Sequence, residues 1–124
     1  MQHYYNWPVI LHNYGAEVVL TDPLQGTDGA QHFVQALIQQ YPDKYYYPDQ
    51  YNNELNWKAH YIGTGPEIWD QSDQKVTHFV AGLGTTGTFV GTSRFLKKKG
   101  VKCVAVQPDN PMHGLEGWKH YGYS

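Results

Sequence analysis

Positions 82–88 read Gly82-Leu83-Gly84-Thr85-Thr86-Gly87-Thr88, a run whose residue types are suited to holding an anion. Glycines let backbone come close to a ligand, the first amide N–H groups of a following helix lack intrahelical acceptors, and the helix dipole favours negative charge at that end. The hydroxyls of Thr85, Thr86 and Thr88 add further donors. No Lys or Arg stands between Gly82 and Thr88. A phosphate here would be held by neutral groups, which suits the single phosphate of a small cofactor better than a nucleotide triphosphate.

The elements around this turn can be read from pattern. A buried strand over 77–81 runs into it. A helix over 86–99 leaves it, closing at Gly100 with the basic run 97–99 in its last turn. An apolar strand over 102–107 follows. Upstream, 17–21 reads as a strand closed by Asp22-Pro23. Ala30, Phe33, Val34, Leu37, Ile38 and Tyr41 then recur at helical spacing, with Thr27 or Asp28 as cap. Positions 44–47 have strand propensity, stopped by Pro48-Asp49. From Asn53 a helical pattern continues to Trp69, kinked or divided at Pro66. Four strands alternating with three helices predict an α/β fold: three layers, with a mostly parallel sheet and covering helices.

The same turn also satisfies G-x-G-x-x-G, and Asp109 follows Gly87 by 22 positions, as in a dinucleotide-binding unit. Against this, two strand–helix units precede the turn, and Asp109 lies beyond Pro108 rather than at a strand tip. An NAD-binding Rossmann domain is therefore the alternative reading. Other chemistries find less support. The seven histidines form no close ligand pair on a helix face and there is one cysteine, Cys103, so no metal site is assigned. No paired carboxylates and no nucleophile elbow occur, and no catalytic residue is assigned.

With 124 residues, nine basic and eleven acidic side chains and a net charge of −2, the chain fits one domain without a nucleic-acid footprint. It contains neither a membrane-length apolar run nor an export signal, and a lone cysteine suits a reducing compartment. Cytoplasmic residence is expected.

Taken in order, several segments resemble the cysteine synthase family, the β-replacement enzymes of pyridoxal-phosphate fold type II, and the B or M type in particular. Tyr14-Gly15-Ala16-Glu17 is similar to its "YGAE" signature, and Pro42-Asp43-Lys44-Tyr45 to its "NPDKY" segment. Gln50-Tyr51-Asn52-Asn53 is similar to its glutamine-aromatic-x-Asn turn. Thr64-Gly65-Pro66-Glu67-Ile68-Trp69 is similar to its "TGPEIW" helix. Gly84-Thr85-Thr86-Gly87-Thr88 resembles its phosphate loop, and His113-Gly114-Leu115-Glu116-Gly117 a later segment.

The resemblance implies an α/β module over 13–124 preceded by a non-matching leader over 1–12. It implies pyridoxal 5'-phosphate as cofactor, gripped through its phosphate by Gly84, Thr85, Thr86, Gly87 and Thr88, with Gly117 near its ring and Gln50 on the carboxylate of a small amino-acid substrate. The family chemistry moves a sulfur nucleophile onto an activated serine. It requires a lysine that condenses with the cofactor aldehyde, and Lys44, Lys58, Lys75, Lys97, Lys98, Lys99, Lys102 and Lys119 match no such role. The chain is thus expected to be a central fragment, inactive alone and limited to phosphate contacts, or a phosphate-ligand binding module. Its surplus aromatics suggest a homodimer or other self-association. Glu54 stands where the family has proline, and Thr86 where many members have glycine.

Overall fold

The computed structural model describes residues 6–115 and 117–122; the aromatic residues at 1–5 and the Glu116 of the resemblance lie outside them. The chain divides into two units, Met1–Tyr47 and Pro48–Ser124.

In the first unit, helix α1 spans Asn6–Asn13 and α2 spans Gly26–Gln40, the latter where apolar spacing predicts it. The expected cap is displaced. Thr27 and Asp28 lie inside α2, because a 3-10 turn at Pro23–Gln25 feeds the chain into it with Gln25 already in helical geometry (φ −89°, ψ −9°). The capping role passes to Asp22, whose carboxylate accepts from the Leu24 N–H at 2.9 Å. The strands expected at 17–21 and 44–47 are not formed. Both segments run as irregular chain, with Glu17, Val19 and Tyr45 lining a cavity against Phe33 and Leu37 of α2. β-propensity reflects fit to a half-buried pleated surface, and no neighbouring strand among the described residues pairs with either segment.

The second unit begins with a turn stapled by amides. Asn53 Nδ2 donates to Pro48 O at 2.9 Å, and Asn52 Nδ2 donates to both Asp49 carboxylate oxygens at 3.1 and 3.0 Å. Helix α3 (Leu55–Ala59) runs through a π-helical turn (His60–Thr64) into α4 (Gly65–Gln71) without leaving helical geometry. The disturbance expected at Pro66 is this π turn. Proline has no N–H to return to Ile62, and the preceding Gly65 N–H reaches back five residues to His60 O instead.

Strand β1 (His78–Gly82) then leads to α5 (Gly87–Leu96), a 3-10 turn (Lys97–Lys99), Gly100 in left-handed geometry (φ 83°), and β2 (Lys102–Val106). β1 and β2 pair in parallel, His78 opposite Lys102 and Gly82 opposite Val106, so the expected parallel sheet has two strands among the described residues. Helix α5 packs on this sheet and on the α3–α4 run. It carries the buried centre of the unit: Leu96 and Thr92 are fully buried, with Val101 and Ser93 nearly so. Phe89 stacks on Phe79 at 6.1 Å, tying helix to sheet. The arrangement is α/β.

Candidate functional site

The turn between β1 and α5 closes around a cavity of ≈ 320 Å³ lined by Gly82, Gly84, Thr85, Thr86, Thr88, Phe89, Gly117 and Trp118. None of these side chains is acidic. Among the described residues, the amides of Gly84, Thr85, Thr86, Thr88 and Phe89 have no intramolecular acceptor. Those of Thr88 and Phe89 belong to the first turn of α5, where the helix supplies no acceptor.

The hydroxyls are prepared as donors. Thr85 Oγ1 accepts from Asn56 Nδ2 at 3.0 Å and from the Gly87 N–H at 3.4 Å. A hydroxyl has two acceptor positions and one proton, so Thr85 is left with a proton to give. Thr88 Oγ1 lies 3.2 Å from His60 Nε2, whose Nδ1 lies 2.9 Å from Thr64 Oγ1. In the tautomer with the proton on Nε2, His60 donates to Thr88 and the Thr88 proton is free as well. The π turn sets this ring opposite the loop.

The glycines of the turn make room for protein atoms. A Cβ on Gly82 would stand 2.5 Å from the Trp118 indole, one on Gly84 would overlap Gly117 O, and one on Gly87 would overlap the Asn56 carboxamide, 2.5 Å from its Cγ. Thr86 takes the left-handed conformation (φ 69°), which a β-branched residue adopts only under strain. That is the physical reason glycine suits this position.

The residues expected at the site are therefore distributed. Gly84, Thr85, Thr86, Thr88 and Gly117 line one cavity together. Gly87 is buried against Asn56 and, together with Thr85 and Thr86, borders a smaller cavity of ≈ 130 Å³ whose other lining residues include Tyr51, Asn52, Asn53, Glu54 and Trp57. Gln50 is exposed on its turn, and its main-chain oxygen accepts from Asn56 Nδ2 at 2.6 Å. One side chain, Asn56, thus joins the Gln50 turn to Thr85. Asn56, Trp118 and Tyr121 were not picked out by residue pattern; Asn56 sits three positions after Asn53, and its role depends on a fold contact 29 residues away.

The segment after β2 returns to the turn. Lys119 N–H donates to Leu83 O at 2.7 Å, and the Tyr121 hydroxyl donates to Gly84 O. Partial burial raises the Tyr121 phenol above its ordinary value, with nearby Lys119 opposing. The Lys119 ammonium lies 4.5 Å from the centre of the Tyr51 ring. Asp109, the acid of the dinucleotide reading, is exposed beyond the end of β2, and its carboxylate accepts from Asn110 Nδ2 at 3.0 Å. At the other edge, Glu54 pairs with Lys58 at 2.5 Å, and this hydrogen bond and charge hold the carboxyl below its ordinary range. Among the described residues no group of three or more His, Cys, Asp or Glu could hold a metal ion, and no helix is long and apolar enough to cross a membrane.

Comparison with known proteins gives the family of the chain. The chain is 56% identical over 113 residues to the cysteine synthase of Aquifex aeolicus, covering 90% of this chain and 35% of that protein. It is 43% identical over 109 residues to cysteine synthase B of Salmonella typhimurium, covering 85% of this chain and 35% of the relative. The crystal structure of cysteine synthase from Entamoeba histolytica superposes with a TM-score of 0.83 at 32% identity, over 95% of this chain and 38% of that one. The chain thus spans about a third of the length of these relatives. Residues 10–121 match the family described as pyridoxal-phosphate dependent enzyme, and the chain belongs to that family.

Proposed function

We propose that the turn at 84–88 holds the phosphate of pyridoxal 5'-phosphate, as the phosphate-binding part of a β-replacement site of the cysteine synthase kind. One observation carries the reading: the turn is a set of donors without acceptors. The residues carrying the free amides, the Thr85 hydroxyl and the start of α5 border one cavity, and no carboxylate lines it. A phosphate ester in its dianionic form only accepts hydrogen bonds, so the two match. The cofactor, when bound, would supply the electron-withdrawing ring on which amino-acid chemistry is done. Residues of this chain do the holding. Gly84, Thr85, Thr86 and Thr88 would take the phosphate, with Asn56 fixing Thr85, His60 facing Thr88, and Gly87 seating the turn against Asn56 while its N–H goes to Thr85 Oγ1. Gly117, which lines the same cavity, would lie on the ring side of the cofactor.

Gln50, exposed on the turn that Asn56 ties to Thr85, would donate its side-chain amide N–H to the carboxylate of a serine-derived amino acid. The nicotinamide alternative has less behind it, since Asp109 stands off the strand tip and the family is a pyridoxal-phosphate one. A reducing, cytoplasmic setting suits the single thiol Cys103, which is half-buried on β2, and the exposed aromatic side chains favour self-association.

The test is an amide-resolved titration. Pyridoxal phosphate should shift Gly84, Thr85, Thr86, Gly87 and Thr88, while pyridoxal without phosphate and NAD should not. A response selective for NAD, or none to pyridoxal phosphate, would refute the assignment. Adding serine to the loaded chain should then move the side-chain amide of Gln50.

A further inference from the structure

We infer that residues 117–121 form a strap that aims the amides of the phosphate turn, with Tyr121 as its positioning residue. The inference rests on the reading of 84–88 as a phosphate site and adds how that site is held. Two successive carbonyls of the turn are occupied from the strap: Leu83 O by the Lys119 N–H at 2.7 Å, and Gly84 O by the Tyr121 hydroxyl. A peptide unit is planar and trans, so its N–H points opposite to its C=O. Holding Leu83 O therefore fixes the direction of the Gly84 N–H, and holding Gly84 O fixes that of the Thr85 N–H. Each is turned away from the strap atom on its carbonyl. Neither has an acceptor among the described residues.

The strap is itself anchored at points independent of the turn. Gln107, just past β2, grips the Tyr121 main chain from both sides, its Nε2 donating to Tyr121 O at 3.2 Å and its Oε1 accepting from Tyr121 N–H at 3.3 Å. His120 Nδ1 lies 2.9 Å from Pro108 O. The strap also packs on the turn itself: Gly117 O occupies the space a side chain on Gly84 would take, and the Trp118 indole does the same at Gly82. The clamp fixes where the Tyr121 side chain starts, and the bond to Gly84 O fixes where its hydroxyl ends. Its one donated bond decides whether the Gly84–Thr85 peptide keeps its orientation or turns over.

The experiment uses the full chain and two variants, Tyr121→Phe and Gln107→Leu, titrated with pyridoxal phosphate and separately with inorganic phosphate, and followed by amide shifts and thermal unfolding. Tyr121→Phe should weaken both ligands about fivefold, shift the ligand-free Gly84 and Thr85 amides more than others, and leave Tm almost unchanged. Gln107→Leu should shift the same two amides, with a smaller loss of affinity. Unchanged affinity together with unmoved Gly84 and Thr85 resonances in Tyr121→Phe would overturn the strap. So would a loss of affinity that merely follows a loss of Tm. If the unsubstituted chain binds neither ligand, the phosphate reading fails, yet the ligand-free shifts of Gly84 and Thr85 still decide the strap.

Discussion

Alanine at position 87 would set two effects of opposite sign against each other. Gly87 opens α5, and its φ lies outside the left-handed region, so alanine fits the backbone and should gain up to ~1 kcal/mol of helix propensity. The added Cβ, however, would stand 2.5 Å from Asn56 Cγ and 2.9 Å from Nδ2. The carboxamide must withdraw, giving up its bonds to Gln50 O and Thr85 Oγ1 at 2.6 and 3.0 Å. Two hydrogen bonds at ~1 kcal/mol each, with overpacking of ~1–3 kcal/mol, outweigh the gain. Gly87→Ala should therefore lose about 2–4 kcal/mol in urea unfolding. The partner variant makes the argument specific. With Asn56→Ala in place the three atoms nearest the new methyl are gone, and Gly87→Ala should then be neutral or gain up to ~1 kcal/mol. A stabilising Gly87→Ala in the unsubstituted chain, or the same cost in both backgrounds, would refute this account of the Asn56 bridge.

Three other outcomes are expected. Thr86→Gly should raise unfolding free energy by about 1 kcal/mol, because the left-handed φ of 69° strains threonine and not glycine; chemical denaturation measures it. Tyr121 should titrate above its ordinary 10.0, read by ultraviolet absorbance. The raised folded value means its contribution to stability is complete below the ordinary value and is lost as pH rises through the folded one, where the bond to Gly84 O is also lost. Lys58→Ala should return the lowered Glu54 carboxyl to its ordinary range by NMR titration, with no measurable change in Tm, because that pair is open to water.

What the sequence made legible was local, and what it hid was carried by distant contacts. The helix at Gly26–Gln40, the strand into the turn, the helix closed by Gly100 and the parallel return strand all follow from spacing and punctuation along a few residues. The segments at 17–21 and 44–47 carry strand-forming residues yet form no ladder, because pairing depends on a neighbour that propensity does not report. Pro66 marked a disturbance correctly, but only the structure shows it resolved as a π turn that faces His60 toward Thr88. Within the site, the turn was recognisable from composition, while Asn56 and Tyr121 act across 29 and 37 residues and carry no local signature.

The glycines of the turn mark a segment that composition explains only in part. Their presence at 82, 84 and 87 suggests backbone laid bare for a ligand. In the structure each one admits a protein group instead: an indole, a carbonyl and a carboxamide. Those three groups are what immobilise the turn, from the strap on one side and from α3 on the other. A donor set that must hold an anion without a lysine or arginine in the loop cannot rely on long-range charge to recover from misalignment. Its affinity depends on amides already pointing the right way before the phosphate arrives. On the proposed phosphate reading, the glycines would serve binding through packing: they let neighbours close enough to fix the donors, so enlarging any of the three should damage phosphate affinity even where the cavity itself keeps its volume.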